Sequence, residues 1–401
     1  MKRWIPALLC LLCAGYLAAQ NTSVEQAWSL LRERRRPEAI VLLRGLIRKN
    51  PADAEARLLL GSVLMEDGKR DESIAQLKEA VRLRPRSAEA QNALGEAYNA
   101  FEDPKAARAP FEKAIAINPK FATARMNLGS VLIQTGDLAE AAAQLDQAIA
   151  LIGDKQDAAY ARYLRAKVYT ERGETEKTTA ALKKAVELQP DFAEAWSDLG
   201  DAYKKVQDDA HALTAFERAV KIRPDDAVAQ TRLANQLLAM DRAHEAVEHF
   251  EIAQRLSPSD QSVLNGLQRA LRKDGQQEKA DEVKKRLAEL LHEKDLSDQN
   301  SMIAIRLNNE AAALEKSGDL KAAVEKYRRA LELDPAHNGI RVNLAVALLK
   351  TGNWKEGLEL MRDAVKRDPN NSALKAALGD ALEQAPVEFG GKGRARPAKQ
   401  P

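Results

Sequence analysis

The spacing of the prolines is the sequence feature that most constrains this fold. In three stretches of the chain, prolines recur at intervals of 34 residues: Pro51, Pro85 and Pro119, then Pro190, Pro224 and Pro258, then Pro335 and Pro369. A fixed period of this length is typical of chains built from repeated supersecondary units. Because one such unit cannot bury its own apolar face, neighbouring units must stack on it. The spacing therefore predicts an array of stacked units.

The repeat that ends at Pro224 shows what each unit contains. Its first part has apolar residues at positions i, i+3 and i+7, which is one face of a helix; they are Trp196, Leu199 and Tyr203. A second helix has a matching apolar face, formed by Ala212, Phe216 and Ala219. Gly200 leaves room for the two helices to approach each other, and Pro224 ends the second helix.

These residue types and their period resemble the tetratricopeptide repeat. The resemblance extends over nearly all of the chain after residue 19. It implies an all-α fold, a right-handed superhelical solenoid of helix-turn-helix repeats. It also implies that the first helices line a concave groove that binds extended peptide segments of other proteins.

The N-terminal residues have the pattern of a secretory signal peptide. Lys2 and Arg3 precede an apolar run that extends to Leu17, and small residues follow it up to Ala19. We therefore interpret residues 1–19 as a signal peptide, with an uncleaved membrane anchor as the alternative. Both cysteines of the chain lie in this segment, so cleavage would leave a chain without thiols.

The remaining sequence divides into four predicted parts. Residues 20–294 form an N-terminal array of about eight repeats, of which the last is degenerate. Residues 295–303, which begin with the polar run from Asp295 to Ser301, are interpreted either as a hinge or as the extension of a longer helix. Residues 304–385 form further repeats and a capping helix. Residues 386–401 carry four basic residues and no acidic residue after Gly390, and they are predicted to be a disordered basic tail.

One repeat departs from the pattern. In the unit from Ala159 to Phe192, Arg162 and Arg165 stand where apolar residues belong. Either the first helix of this unit is rotated, or the frame of the repeat shifts there. Tyr160 and Tyr163 of the same helix either add aromatic contacts to the groove or lie in the core.

The composition argues against several classes of function. The net charge is only +3, with both signs mixed, so no nucleic-acid partner is predicted. His244 and His249 are the closest pair of histidines, but a zinc-protease helix needs histidines four residues apart. No phosphate-binding loop or nucleophile motif is present. We therefore predict no metal site, no cofactor and no enzymatic activity.

The resemblance assigns the groove to the second, fifth, sixth, ninth, twelfth and thirteenth places of each repeat, counted from Ala193 in the repeat that ends at Pro224. The residues predicted from these places are Asn127, Asp198, Asp201, Lys204, Lys205, Arg232, Asn235, Asn309 and Asn343. A carboxamide can bond both backbone groups of a peptide. Asn309 and Asn343 are therefore expected to form a short asparagine ladder, unless asparagine is simply common at this place.

The sequence thus predicts a non-enzymatic scaffold or adaptor that binds other proteins in its groove. The exported start and the cysteine-free body indicate a bacterial periplasm or cell envelope. Contact with a membrane is expected only if the N-terminal segment stays uncleaved. An alternative is an accessory factor for polysaccharide export or for pilus or outer-membrane assembly. An enzyme with its active site in the groove would need converging titratable residues, and the sequence shows none.

Overall fold

The structure, a computed structural model, describes residues 24–369 and 371–389. In this part of the chain the regular elements are helices and no strand occurs, which confirms the predicted all-α class. The chain separates into two compact units, one ending at Gly275 and one beginning at Gln276. The predicted signal peptide and residues 390–401 of the predicted tail lie outside the described residues.

The first unit is a succession of short helices joined by tight turns. In chain order they are α1 (24–32), α2 (Arg36–Lys49), α3 (Ala54–Glu66), α4 (Arg70–Leu83), α5 (Ala88–Ala100), α6 (Pro104–Ile117), α7 (Ala122–Thr135), α8 (Leu138–Ile152), α9 (Ala158–Glu171), α10 (Thr175–Leu188), α11 (Ala193–Lys205), α12 (Asp209–Ile222), α13 (Ala227–Ala239), α14 (Ala243–Leu256) and α15 (Gln261–Lys273). From α3 to α14, each first helix packs on the second helix of its repeat, and that second helix packs on the first helix of the next repeat. This arrangement is the predicted helical-repeat solenoid.

The repeat prolines set the starts of the first helices. Two residues after a proline stands an N-cap side chain that accepts a hydrogen bond from a backbone N–H of the first turn; Asp53, Ser87, Asp226 and Asp260 are examples. The side chain at the fourth place then donates to the carbonyl of the same proline. The donors are Arg57, Arg125, Trp196, Gln230 and Arg341. Each of these bonds ties the end of one repeat to the start of the next.

Inside a repeat, the glycine at the eighth place lies directly against the second helix. A Cβ atom at Gly200 would be 2.5 Å from Cε1 of Phe216, and one at Gly95 would be 2.6 Å from Cε1 of Phe111. Both phenylalanines are 1% exposed. The glycines are therefore packing residues, as the sequence indicated. Burial of each ring contributes about 1.5–3 kcal/mol.

The repeat formed by α9 and α10 keeps the frame of the repeat that follows it, whereas three extra residues separate it from the repeat before. Glu171 ends α9 34 residues before Lys205 ends α11, so neither predicted irregularity, a rotation or a frame shift, is needed. Arg165 occupies the place that Leu199 has in the next repeat. Its Nε donates to Oδ1 of Asp146 in α8 at 2.8 Å, and its guanidinium lies 4.0 Å from the centre of the Tyr169 ring. An ion pair thus replaces the apolar contact.

The second unit begins with an unusually long helix. Its helices are α16 (Gln277–Ser317), α17 (Leu320–Leu333), α18 (Asn338–Lys350), α19 (Trp354–Arg367) and α20 (Ser372–Gln384). Residues 295–303, the predicted hinge, lie inside the 41-residue α16. No glycine or proline occurs in α16 to end it. The boundary between units consequently lies before this helix and not near residue 294, and the hinge stays a prediction.

The predicted start of the disordered tail, residue 386, lies too early in the sequence. Val387–Phe389 forms a turn of 3₁₀ helix after α20. Phe389 packs against the apolar cluster of Leu358, Ala381 and Ala385. Residues 386–389 are therefore part of the folded second unit, because an aromatic side chain gains from burial there.

Candidate functional site

The polar side chains of neighbouring first helices are bonded to one another along the array. At three junctions the side chain at the sixth place donates to the side chain at the fifth place of the preceding repeat. These bonds are Asn127 to Asn92 (3.1 Å), Arg232 to Ser197 (2.6 Å) and Asn343 to Asn308 (2.9 Å). Three of the predicted groove residues therefore already serve contacts between repeats.

The predicted asparagine ladder has a different pairing from the one expected. Asn343 donates to Asn308, and Nδ2 of Asn308 lies 3.4 Å from Oδ1 of the exposed Asn309. Asn309 and Asn343 are therefore linked only through Asn308, because the fifth and sixth places of adjacent helices face each other. Asn235 behaves similarly, since it accepts a hydrogen bond from Arg269 of α15 at 3.3 Å.

A cleft between α9, α10 and α11 brings four of the predicted residues together. We call it the α9–α11 cleft, and its volume is about 500 Å³. Asp198, Asp201, Lys204 and Lys205 line it from α11. The opposite wall contains residues that the sequence analysis did not single out, namely Lys167, Thr170, Thr175 and Thr178. Lys167 and Thr170 hold the ninth and twelfth places of their repeat, which are groove places, whereas Thr175 and Thr178 lie on the second helix, which the groove rule does not cover.

Alternating charges cross this cleft from one first helix to the next. Nζ of Lys167 lies 3.1 Å from Oδ2 of Asp198, and Arg232 of α13 approaches Oδ1 of Asp198 at 3.5 Å and Oδ2 of Asp201 at 3.4 Å. Burial alone would lower the pKa of Lys167, but the charge and hydrogen bond of Asp198 outweigh it and raise this pKa. Burial raises the pKa of Asp201 despite the nearby Arg232.

Two lysines of the α9–α11 cleft have no such partner. The side chains of Lys204 and Lys205 are exposed and form neither a hydrogen bond nor an ion pair with any described residue. The half-buried Tyr163 supplies an aromatic surface beside them, with its ring centre 4.9 Å from that of Phe192. The cleft can therefore hold an apolar group and present free ammonium donors to carboxylates or backbone carbonyls.

A second cleft at the start of the array was missed by the sequence analysis. It has a volume of about 590 Å³ and is lined by Trp28, Leu31 and Arg32 of α1 together with residues of α3. Trp28 is 51% exposed. Counted back by one repeat, these residues hold the ninth, twelfth and thirteenth places, which are groove places. The groove surface thus has aromatic groups in two separate repeats of the first unit.

Features of other functional classes were also searched for among the described residues. No group of three or more histidine, cysteine, aspartate or glutamate side chains is arranged to hold a metal ion there. Across the same residues, no helix combines the length and apolar character needed to span a membrane. Nδ1 of His244 lies 3.2 Å from Asp274, whereas Nδ1 of His249 lies 2.7 Å from Oε1 of Gln230, so the two histidines do not converge.

Comparison with family sequence profiles gives matches over most of the array. Profiles described as tetratricopeptide repeat match residues 24–69, 61–120, 98–168, 193–226 and 314–381, and one described as TPR repeat matches residues 166–207. A comparison with curated proteins found no match.

Solved structures give a likeness of fold. A tetratricopeptide repeat protein from Parabacteroides merdae matches with a TM-score of 0.50 and 16% identity, over 63% of this chain and 99% of that one. Pseudomonas aeruginosa pilF matches with a TM-score of 0.48 and 18% identity, over 53% of this chain and 95% of that one. At these identities the likeness concerns the fold alone.

Proposed function

The chain belongs to the tetratricopeptide repeat family, and from this we propose that it is a non-enzymatic scaffold that captures an extended segment of a partner protein in the α9–α11 cleft. Arrays of this kind use their first helices as extended binding surfaces. The observation that carries the proposal is the presence of two unpaired lysines, Lys204 and Lys205, in the cleft that gathers four predicted groove residues.

The charge of the cleft favours an acidic partner segment. Its lining has three lysines, including Lys167, against the two carboxylates of Asp198 and Asp201. Because Asp198 and Asp201 also contact Arg232, their charge is already compensated within the protein. A carboxylate of the partner would form charge-assisted hydrogen bonds with the free lysines, each contributing about 1.5–3 kcal/mol.

We test this proposal by selecting peptides from a displayed library of random sequences on the full chain. Selected peptides are expected to be rich in Asp and Glu. The double variant Lys204→Ala/Lys205→Ala should bind them at least about tenfold more weakly. The matched control is Lys284→Ala/Lys285→Ala, which removes two adjacent exposed lysines of α16. Equal binding by both double variants, or a failure to select any peptide, would contradict the proposal.

We also propose that the scaffold acts in a bacterial cell envelope. The support is the sequence of residues 1–19, with its basic start, apolar run and terminal small residues. Mass spectrometry of the chain recovered from a periplasmic fraction should show an N-terminus at Gln20. Recovery of the intact chain from the cytoplasm alone would reject export. The accessory role in polysaccharide export or in pilus or outer-membrane assembly stays a prediction from sequence.

A further inference from the structure

Arg162 and Arg165, at the fourth and seventh places of their repeat, line a cleft that has no role in the proposed capture of a peptide. This cleft, which we call the α8–α10 cleft, is formed by α8, α9 and α10 and has a volume of about 360 Å³. No residue lines both it and the α9–α11 cleft. Arg162 and Arg165 therefore need an explanation that is separate from peptide capture.

The lining of the α8–α10 cleft is strongly cationic. Four basic side chains contribute to it, namely Arg162, Arg165, Lys177 and Lys184. Asp146 is the one carboxylate among its lining residues. The other acidic partners of these side chains, Asp154, Glu174 and Glu187, lie outside the lining. Since exposed ion pairs of this type are weak, an anion in the cleft would compete with them at little cost.

Two guanidinium nitrogens in this region lack a hydrogen-bond acceptor. Arg165 uses Nε and Nη2 for Asp146, and Arg162 uses Nη2 for Asp154. Nη1 of Arg165 and Nε of Arg162 are buried and have no partner. Buried donors are paired in the great majority of native structures, so an unpaired donor on each of two neighbouring arginines indicates a missing acceptor.

An aromatic ring helps to hold the cations together. Cζ of Arg165 lies 4.0 Å and Nζ of Lys177 lies 5.6 Å from the centre of the Tyr169 ring. Cation–π attraction of this kind fixes a guanidinium without using its N–H donors. The donors stay available, and the mutual repulsion of the cations falls when an anion binds between them.

We propose that the α8–α10 cleft binds a doubly charged phosphate group. Guanidinium groups present forked donors that match the oxygens of phosphate, and three of the four lining cations have no counter-charge within the cleft. The size of the cleft admits either inorganic phosphate or a phosphate monoester carried by a sugar. Both ligands offer the same phosphate oxygens to the arginines, and the experiment below distinguishes the two ligands by their affinities.

The test measures binding of inorganic phosphate and of glucose 1-phosphate to the full chain by calorimetry, with sodium chloride at matched ionic strength. Arg165→Leu restores the residue type of the regular repeats, so the fold should persist. This variant should bind phosphate at least about tenfold more weakly. Arg82→Leu is the matched control, because Arg82 is an exposed arginine paired with Glu79 outside the cleft.

A third variant separates binding from a purely structural role of the arginines. Asp146→Asn removes the competing carboxylate and should bind phosphate several-fold more tightly than the wild type. Absence of phosphate binding by the wild type, or equal loss in Arg165→Leu and Arg82→Leu, would overturn the proposal.

If circular dichroism shows that Arg165→Leu does not fold, Lys177→Gln/Lys184→Gln takes its place, and unchanged phosphate binding by it would refute the site. Tighter binding of glucose 1-phosphate than of inorganic phosphate would assign the group to a sugar phosphate. The reverse order would assign it to the free ion.

Discussion

The repeats α9–α10 and α11–α12 are neighbours with nearly the same helix lengths and the same frame, but their interiors differ. The regular repeat joins its helices through Leu199, Gly200 and Phe216, all of which are buried. At the corresponding places the other repeat has Arg165, Ala166 and Leu182. The frame of the array is therefore set by the turns and helix ends, whereas the contacts inside a repeat can be exchanged.

The exchange follows two physical rules. Between these two repeats, Ala166 adds a methyl group relative to Gly200 and the second helix carries the smaller Leu182 in place of Phe216, so the volume at this pair of places is roughly conserved. Where the first helix gains a charge, as at Arg165, the preceding repeat supplies Asp146. The α9–α11 cleft and the α8–α10 cleft both border α9, so the irregular repeat contributes to two polar recesses of the array.

The largest effect is expected when an arginine replaces Leu199 and no acidic partner is supplied. In Leu199→Arg the guanidinium would enter a place that is 2% exposed and would have no acidic partner, because Lys183 holds the place of Asp146 in α10. We expect a loss of about 3–5 kcal/mol in the local free energy of opening. Hydrogen exchange of the α11 and α12 amides measures this quantity.

The reciprocal variants complete this test. Lys183→Asp/Leu199→Arg transplants the ion pair and should recover part of the loss, while Arg165→Leu should stay within about 1 kcal/mol of the wild type. A Leu199→Arg variant as stable as the wild type would show that this place does not require an apolar residue in any repeat.

A smaller effect is expected from the volume exchange. Gly200→Ala places a methyl group 2.5 Å from the Phe216 ring, and we expect a cost of about 1–3 kcal/mol from overpacking. Gly200→Ala/Phe216→Leu reproduces the combination of the neighbouring repeat and should be more stable than the single variant. The same amide exchange measurement applies. If the double variant is the less stable of the two, volume conservation is not the rule that links these places.

The smallest effect concerns pH. In the repeat α13–α14, His249 contacts Gln230 across the two helices, whereas α10 has Ala181 at the corresponding place. Burial lowers the pKa of His249, against the opposing charges of three glutamates. The folded chain therefore binds fewer protons there than the unfolded chain, and stability falls as the pH drops below about 6.5.

Thermal unfolding between pH 7 and pH 5 measures this dependence. His249→Gln should have a shallower pH dependence than the wild type. His244→Gln is the control, because the pKa of His244 is raised by its hydrogen bond with Asp274, which has the opposite sign. A steeper pH dependence in His249→Gln would contradict the assignment.

The sequence predicted the repeats well because the residues that recur with the repeat period are the same residues that pack the helices together. The proline spacing correctly predicted the helix pairs, and Gly200 correctly predicted the close contact with the second helix. The groove was less accessible to prediction, since a place in the repeat does not reveal which neighbour a side chain contacts. Asn343 lies at the predicted place but is bonded to Asn308, and Trp28 holds a groove place only when the frame is counted back by one repeat.

The bonds from the fourth place to the preceding proline carbonyl have a mechanical consequence. Because repeats are linked in series, tension along the chain is transmitted through every junction. Junctions such as Pro119–Arg125 and Pro224–Gln230 carry a hydrogen bond of 2.9 Å and 2.8 Å, respectively, directly across the joint. The junction at Pro258 has the aliphatic Leu264 at this place and no such bond. Under a stretching load, that joint lacks the hydrogen bond that resists separation at junctions such as those of Pro119 and Pro224.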